Sequence, residues 1–97
     1  MNAELKSTIS APLSHPCYEG HFPGRPVLPG VLLLELIVEA LGRGAPHAIT
    51  TMKFQRALTP GESCALEWTA QGARVSFRCT RAGEPVAEGV LDFGSGV

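Results

Sequence analysis

Residues 30–41 read GVLLLELIVEAL, from Gly30 to Leu41. Pro29 ahead of this run suits a first helical turn, and Gly42, Gly44 and Pro46 behind it stop a helix. Length and flanks favour a helix over a buried strand. Apolar residues surround nearly the whole circumference, so the helix is expected to be buried on most sides. Two carboxylates, Glu35 and Glu39, interrupt it one turn apart.

Downstream, residues 47–93 read as four strands. AITTMKFQRA, about 48–57, is the first. Thr59-Pro60-Gly61-Glu62 then places Pro and Gly as a type II turn requires. CALEWTA puts Cys64, Leu66 and Trp68 on one face. Gln71-Gly72 turns the chain. ARVSFRCT alternates Val75, Phe77 and Cys79 with Arg74, Ser76 and Arg78, the cleanest period of two in the sequence. Ala82-Gly83 turns again, and in EPVAEGVLDF Ala87, Leu91 and Phe93 oppose Glu88 and Asp92. Upstream, ELKSTIS (4–10) places Leu5 and Ile9 on one face. The whole is an α+β fold, an antiparallel meander wrapped around one central helix, in a single domain over 1–97. Its open edges favour pairing between two copies.

Composition limits the function. The chain has 97 residues, 44% hydrophobic and 18% charged, which argues against disorder. A net charge of -1 disfavours a generic grip on nucleic acid. Cys17, Cys64 and Cys79 are odd in number and contain no CxxC pair, so a disulfide framework is not expected. The start, MNAELKSTIS, has no signal-peptide pattern, and no apolar run is long enough to span a bilayer. The expectation is a soluble cytoplasmic protein. A domain of this size buries only roughly 60–65% of its unfolded surface, so association is the expected extra source of stability.

Between the first strand and the helix, residues 11–30 hold five of the eight prolines. This is a shaped, irregular loop, and long loops in small domains are commonly functional. Its core is Gly20-His21-Phe22-Pro23-Gly24-Arg25-Pro26-Val27-Leu28-Pro29-Gly30. His21, with an ordinary pKa of about 6.5, suits a general base. The alternative is a loop histidine bonded to a carbonyl. Glu35 on a buried helix would have its pKa raised towards a neutral acid, further so beside a buried Glu39; the alternative is a solvated or Arg-paired carboxylate. Gly30 opens the helix, where N–H groups lack intrahelical partners, and a glycine lets a ligand approach them closely. Base, acid and carbonyl-polarising N–H together describe proton abstraction next to a carbonyl with loss of a nearby leaving group. His15, Cys17 and His21 make a poor metal site, so none is expected; His15 and His47 carry no assigned role.

GHFPGRPVLPGVLLLE resembles the active-site motif of the hot-dog-fold 3-hydroxyacyl-acyl-carrier-protein dehydratases, and KFQRALTPGE is similar to that family's next strand and turn. The resemblance implies a dimer with the active site in an acyl tunnel at its interface. His21 of one protomer would remove the C2 proton of a (3R)-3-hydroxyacyl thioester. Glu35 from the other would help the 3-hydroxyl leave as water, and the Gly30 N–H would polarise the thioester carbonyl. The product is a trans-2-enoyl thioester. Phe22, Pro23 and Val31 would line the tunnel. The resemblance implies no cofactor beyond the phosphopantetheine of an acyl carrier protein, which is the expected partner. Arg25, Lys53, Arg56, Arg74 and Arg78 are either its docking patch or an ordinary solvated face. Two departures stand out. The family usually starts with a further helix and strand, so the tunnel is expected to be more open or completed by a partner. It also commonly has Gln where this chain has Glu39. Fatty acid synthesis or an aryl polyene pathway is the implied setting, as a homodimer or a heterodimer. A hot-dog thioesterase and a non-catalytic, carrier-binding partner subunit are the rival readings.

Overall fold

The computed structural model describes residues 3–18 and 26–94. Strand β1 (Ala3–Ser10) is followed by a short 3-10 turn (Pro16–Tyr18), helix α1 (Gly30–Leu41), and strands β2 (Ala48–Phe54), β3 (Ser63–Gln71), β4 (Arg74–Arg81) and β5 (Glu84–Asp92). All pairings are antiparallel, in the order β1-β3-β4-β5-β2. The expected plain meander is therefore corrected at one point. β2 does not pair with β3, its successor, but crosses to the far edge and pairs with β5.

Turn chemistry sets these connections. Gly61 has φ 84° and the Glu62 N–H donates to the Thr59 carbonyl at 3.0 Å, as the Pro-Gly pair demands. Ala82 and Gly83, at φ 52° and 80°, close the β4–β5 hairpin with two left-handed residues, the twist that matches flanking strands. Pro29 precedes the first turn of α1 without a side-chain cap, its carbonyl accepting the Leu32 and Leu33 N–H groups, and a left-handed Gly42 ends the helix.

The core lies between the helix and one face of the sheet. Leu33, Ile37 and Leu41 of α1 pack with Ile9, Leu66, Trp68, Val75, Phe77, Val86 and Leu91. Cys64 and Cys79 are buried there as small apolar residues. Their mutual hydrogen bond and then burial push the Cys79 thiol upward, so it stays protonated. The helix is less enclosed than its composition suggests. The sheet of one chain covers a single face, and the opposite line, Val31, Glu35 and Glu39, is exposed. Leu32, Leu34, Leu36, Val38 and Ala40 flank it, half-buried.

Candidate active site

The site is built around the start of α1. Its first N–H groups, at Gly30 and Val31, lie ahead of the first intrahelical bonds, and no side chain caps them. They carry the positive end of the helix dipole. The segment leading in is held by the Leu28 N–H donating to the Leu58 carbonyl at 2.7 Å. Leu28, Gly30, Leu33, Phe54 and Leu58, with the Gln55–Ala57 segment, line an open pocket of about 400 Å³. Apolar side chains floor it and an uncapped helix start adjoins it, which suits a hydrocarbon chain bearing one polar carbonyl.

Gly30 also meets the sheet. A Cβ there would stand 3.0–3.2 Å from Cζ, Cε1 and Cε2 of Phe54, so the space the glycine leaves is filled by an aromatic ring. Phe54 ends β2 on the helix-facing side of the sheet, in register with the buried Ala87. Sequence reasoning did not single it out. The only signal was its alternation with Met52, which gives a face but no contact.

Glu35 and Val31 share a helix face, one turn apart, and both are exposed; Val31 is 69% accessible. The expected burial of Glu35 does not hold among the described residues: the sheet packs on the opposite face of the helix, at Leu33, Ile37 and Leu41, and leaves Glu35 exposed. Glu39 is exposed too and lies against β1, lining a smaller recess of about 260 Å³ with Thr8, Ile9, Ser10 and Leu36. Glu35 is not among the residues lining the Gly30 pocket. His21, Phe22, Pro23 and Arg25 lie outside the described residues, as does the Cys17 side chain.

Of the two readings of the candidate docking residues, the four described cations fit the solvated face: they do not form one basic surface. On the outer sheet face, Lys6, Glu67, Arg78, Glu88 and Lys53 follow one another in direct cross-strand register through all five strands, alternating in sign. Lys6 and Glu67 approach to 3.9 Å. Arg74 stands opposite Asp92, and Arg56 pairs with Glu84 at 3.3 Å. Opposite charges in facing positions stabilise a sheet modestly and leave little net field.

The ApeI-like family model, that of the ApeI dehydratase, matches residues 1–90. The chain belongs to the ApeI-like dehydratase family. Among relatives, it is 32% identical over 98 residues to a 3-hydroxyacyl-acyl-carrier-protein dehydratase FabZ of Acetivibrio thermocellus, covering 84% of this chain and 67% of that one. It is 35% identical over 75 residues to the FabZ of Haemophilus influenzae (strain PittEE), covering 64% of this chain. The match spans about half of that relative's length, 51%. Among solved structures, the dehydratase heterocomplex ApeI:P from Xenorhabdus doucetiae superposes with a TM-score of 0.75 at 23% identity, over 92% of this chain and 85% of that one. At that identity the likeness establishes the hot-dog fold. No helix among the described residues is long and apolar enough to cross a membrane.

Proposed function

We propose that the chain is a (3R)-3-hydroxyacyl-acyl-carrier-protein dehydratase, a hydro-lyase that needs no cofactor of its own. The observation that carries this is the start of α1 at Gly30, which no side chain caps, downstream of His-Phe-Pro-Gly in the sequence and beside a pocket with apolar walls at Leu28, Leu33, Phe54 and Leu58. In this reading His21 takes the C2 proton. The electron pair moves into the thioester, whose carbonyl oxygen accepts from the Gly30 N–H. The C3–O bond then breaks as Glu35 delivers a proton, releasing water and a trans-2-enoyl thioester.

The exposure of Glu35 supports a site shared between two chains. A carboxylate that must hold a proton near neutral pH needs a less polar setting than bulk water. Among the described residues of its own chain Glu35 is exposed, so a second chain is the proposed source of that setting. His21 of one protomer then acts with Glu35 of the partner subunit. The neighbour from Xenorhabdus doucetiae is itself a heterocomplex, which favours a hot-dog partner subunit as strongly as a second copy. Phe22, Pro23 and Val31 line the acyl path in this proposal. The substrate arrives on an acyl carrier protein in the cytoplasm, in fatty acid or aryl polyene synthesis.

The test is incubation of the assembled protein with 3-hydroxyacyl carrier substrates while following enoyl absorbance. Enoyl product that vanishes with His21→Ala supports the reading. Thiol release without enoyl product identifies a thioesterase. No turnover, with an intact complex, identifies a carrier-binding subunit. Turnover of saturated against polyene substrates separates the two pathway settings.

A further inference from the structure

We infer that Phe54 is a positioning residue for this site, its ring setting where the Gly30 amide stands. The inference rests on the dehydratase reading above and adds to it a residue from the opposite edge of the sheet.

Three observations meet at this side chain. The ring occupies the side-chain space of Gly30, so that a single added carbon would stand 3.0–3.2 Å from three ring atoms. Phe54 is 49% exposed, so its placement does not follow from ordinary core burial. The backbone just beyond it is bulged. The N–H groups of Gln55 and Arg56 both donate to the Val86 carbonyl, at 2.8 and 3.2 Å, so two residues of one strand face one of the other. A bulge at a sheet edge re-aims the chain beside it, and such features gather next to active sites. Here it ends the pairing of β2 immediately after the residue that meets the helix start.

The consequence concerns the reacting atoms. The Gly30 N–H is useful only if it lies at hydrogen-bonding distance from the carbonyl oxygen as negative charge develops there. The first turn of α1 has no side-chain cap to fix it. From the sheet side, the Phe54 ring is what it rests against. Removing the ring leaves the amide tethered through the Leu28–Leu58 bond and the Pro29 carbonyl but without its support from the sheet side. A displacement near 1 Å costs on the order of 100-fold in rate. Because the interaction strengthens only in the transition state, the loss falls on kcat rather than on KM.

The experiment uses the assembled protein and 3-hydroxydecanoyl carrier substrate, with wild type, Phe54→Ala, Phe54→Leu and Phe54→Tyr. The expected result is a kcat reduced by roughly 10- to 100-fold in Phe54→Ala with KM within about twofold. Phe54→Tyr, which keeps the ring, restores the rate; Phe54→Leu falls between. Thermal unfolding of Gly30→Ala, Phe54→Ala and the double variant reads the contact itself, and its non-additivity is expected because the two groups touch. Unchanged kcat in Phe54→Ala, a raised KM with unchanged kcat, or additive stability changes would each overturn the inference. Absence of turnover in wild type points instead to failure of the dehydratase reading. The stability cycle then still decides whether the contact exists, and the positioning role falls with the activity.

Discussion

The ring of Phe77 fills the place of a side chain at Gly89. A Cβ on Gly89 would stand 3.0 Å from Cε2 and Cζ of Phe77 and 2.5 Å from the Thr51 carbonyl oxygen. Gly89 sits in register with Met52 on β2 and with Phe77 on β4, so it lies between the edge strand and the core. A flexible side chain can yield to a methyl group, but the carbonyl is backbone and part of the β2–β5 pairing. Gly89→Ala is therefore expected to destabilise the fold by about 1–3 kcal/mol. The effect should appear as a lowered urea midpoint with an unchanged slope. Gly72→Ala makes a contrasting control: it meets no neighbouring atom, and its cost comes only from φ 61°.

Ala82 makes the opposite prediction. It is the one non-glycine residue with positive φ among the described residues, at 52°. An L-residue other than Asn, Asp or Gly holds this conformation at a cost of roughly 1–2 kcal/mol. The side chain is exposed, so little packing is at stake. Ala82→Asn, which gives the favoured Asn-Gly hairpin turn with Gly83, should stabilise the protein by about 0.5–1 kcal/mol. A thermal melt of the variant reads this directly. An unchanged or lower Tm would show that the turn is not under this strain.

The sequence marks some of these features and not others, for identifiable reasons. Helix α1 and the alternation of Val75, Phe77 and Cys79 against Arg74, Ser76 and Arg78 are local patterns, and the structure repeats them residue for residue. Strand order is not local. AITTMKF is legible as a strand, but nothing within it says that it pairs with β5 across the sheet. Its end at Phe54, short of the expected residue 57, comes from a bulge made with Val86. The exposure of Glu35 has the same origin. A run of leucines marks a helix to be buried, but not whether one chain or two will bury it. The sequence leaves Arg78 and Lys53 open between a basic patch and a solvated face because Glu67 and Glu88 are distant in sequence and adjacent only across strands.

Glu62 ties stability to acidic pH. Its Oε1 accepts the Thr59 N–H at 2.8 Å and its Oε2 lies 3.1 Å from Arg81 Nε. The hydrogen bonds from Thr59, and then the Arg81 and Arg56 charges, hold its carboxyl below the ordinary value of 4.5. A depressed folded-state pKa gives stability that is complete above the unfolded value and is lost as pH falls through the folded one. Wild type should lose stability on acidification below about pH 4.5. Glu62→Gln should lose less over the same window and be weaker than wild type at pH 7. Equal acid sensitivity of the two proteins, measured by urea midpoints from pH 3 to 7, would assign the effect to other carboxylates.

The proposed two-chain site gives a test that a single-chain site fails. His21→Ala and Glu35→Ala homomers should each lose dehydration by about 100-fold or more, since each lacks an acid–base group at every site. Co-expressed with separate affinity tags and purified as the mixed species, they hold one defective site with both substitutions and one intact site. Half of the wild-type rate is then expected per mixed dimer. If His21 and Glu35 acted within one chain, each chain of the mixed dimer would carry one lesion and activity would stay low. Glu35 stands exposed opposite the Leu33, Ile37 and Leu41 face, on the line begun by Val31. Val31→Arg on that line is therefore expected to weaken assembly and activity together while leaving the fold of each chain intact. Size-exclusion chromatography with light scattering reads the assembly, and a monomer that retained full activity would refute the shared site.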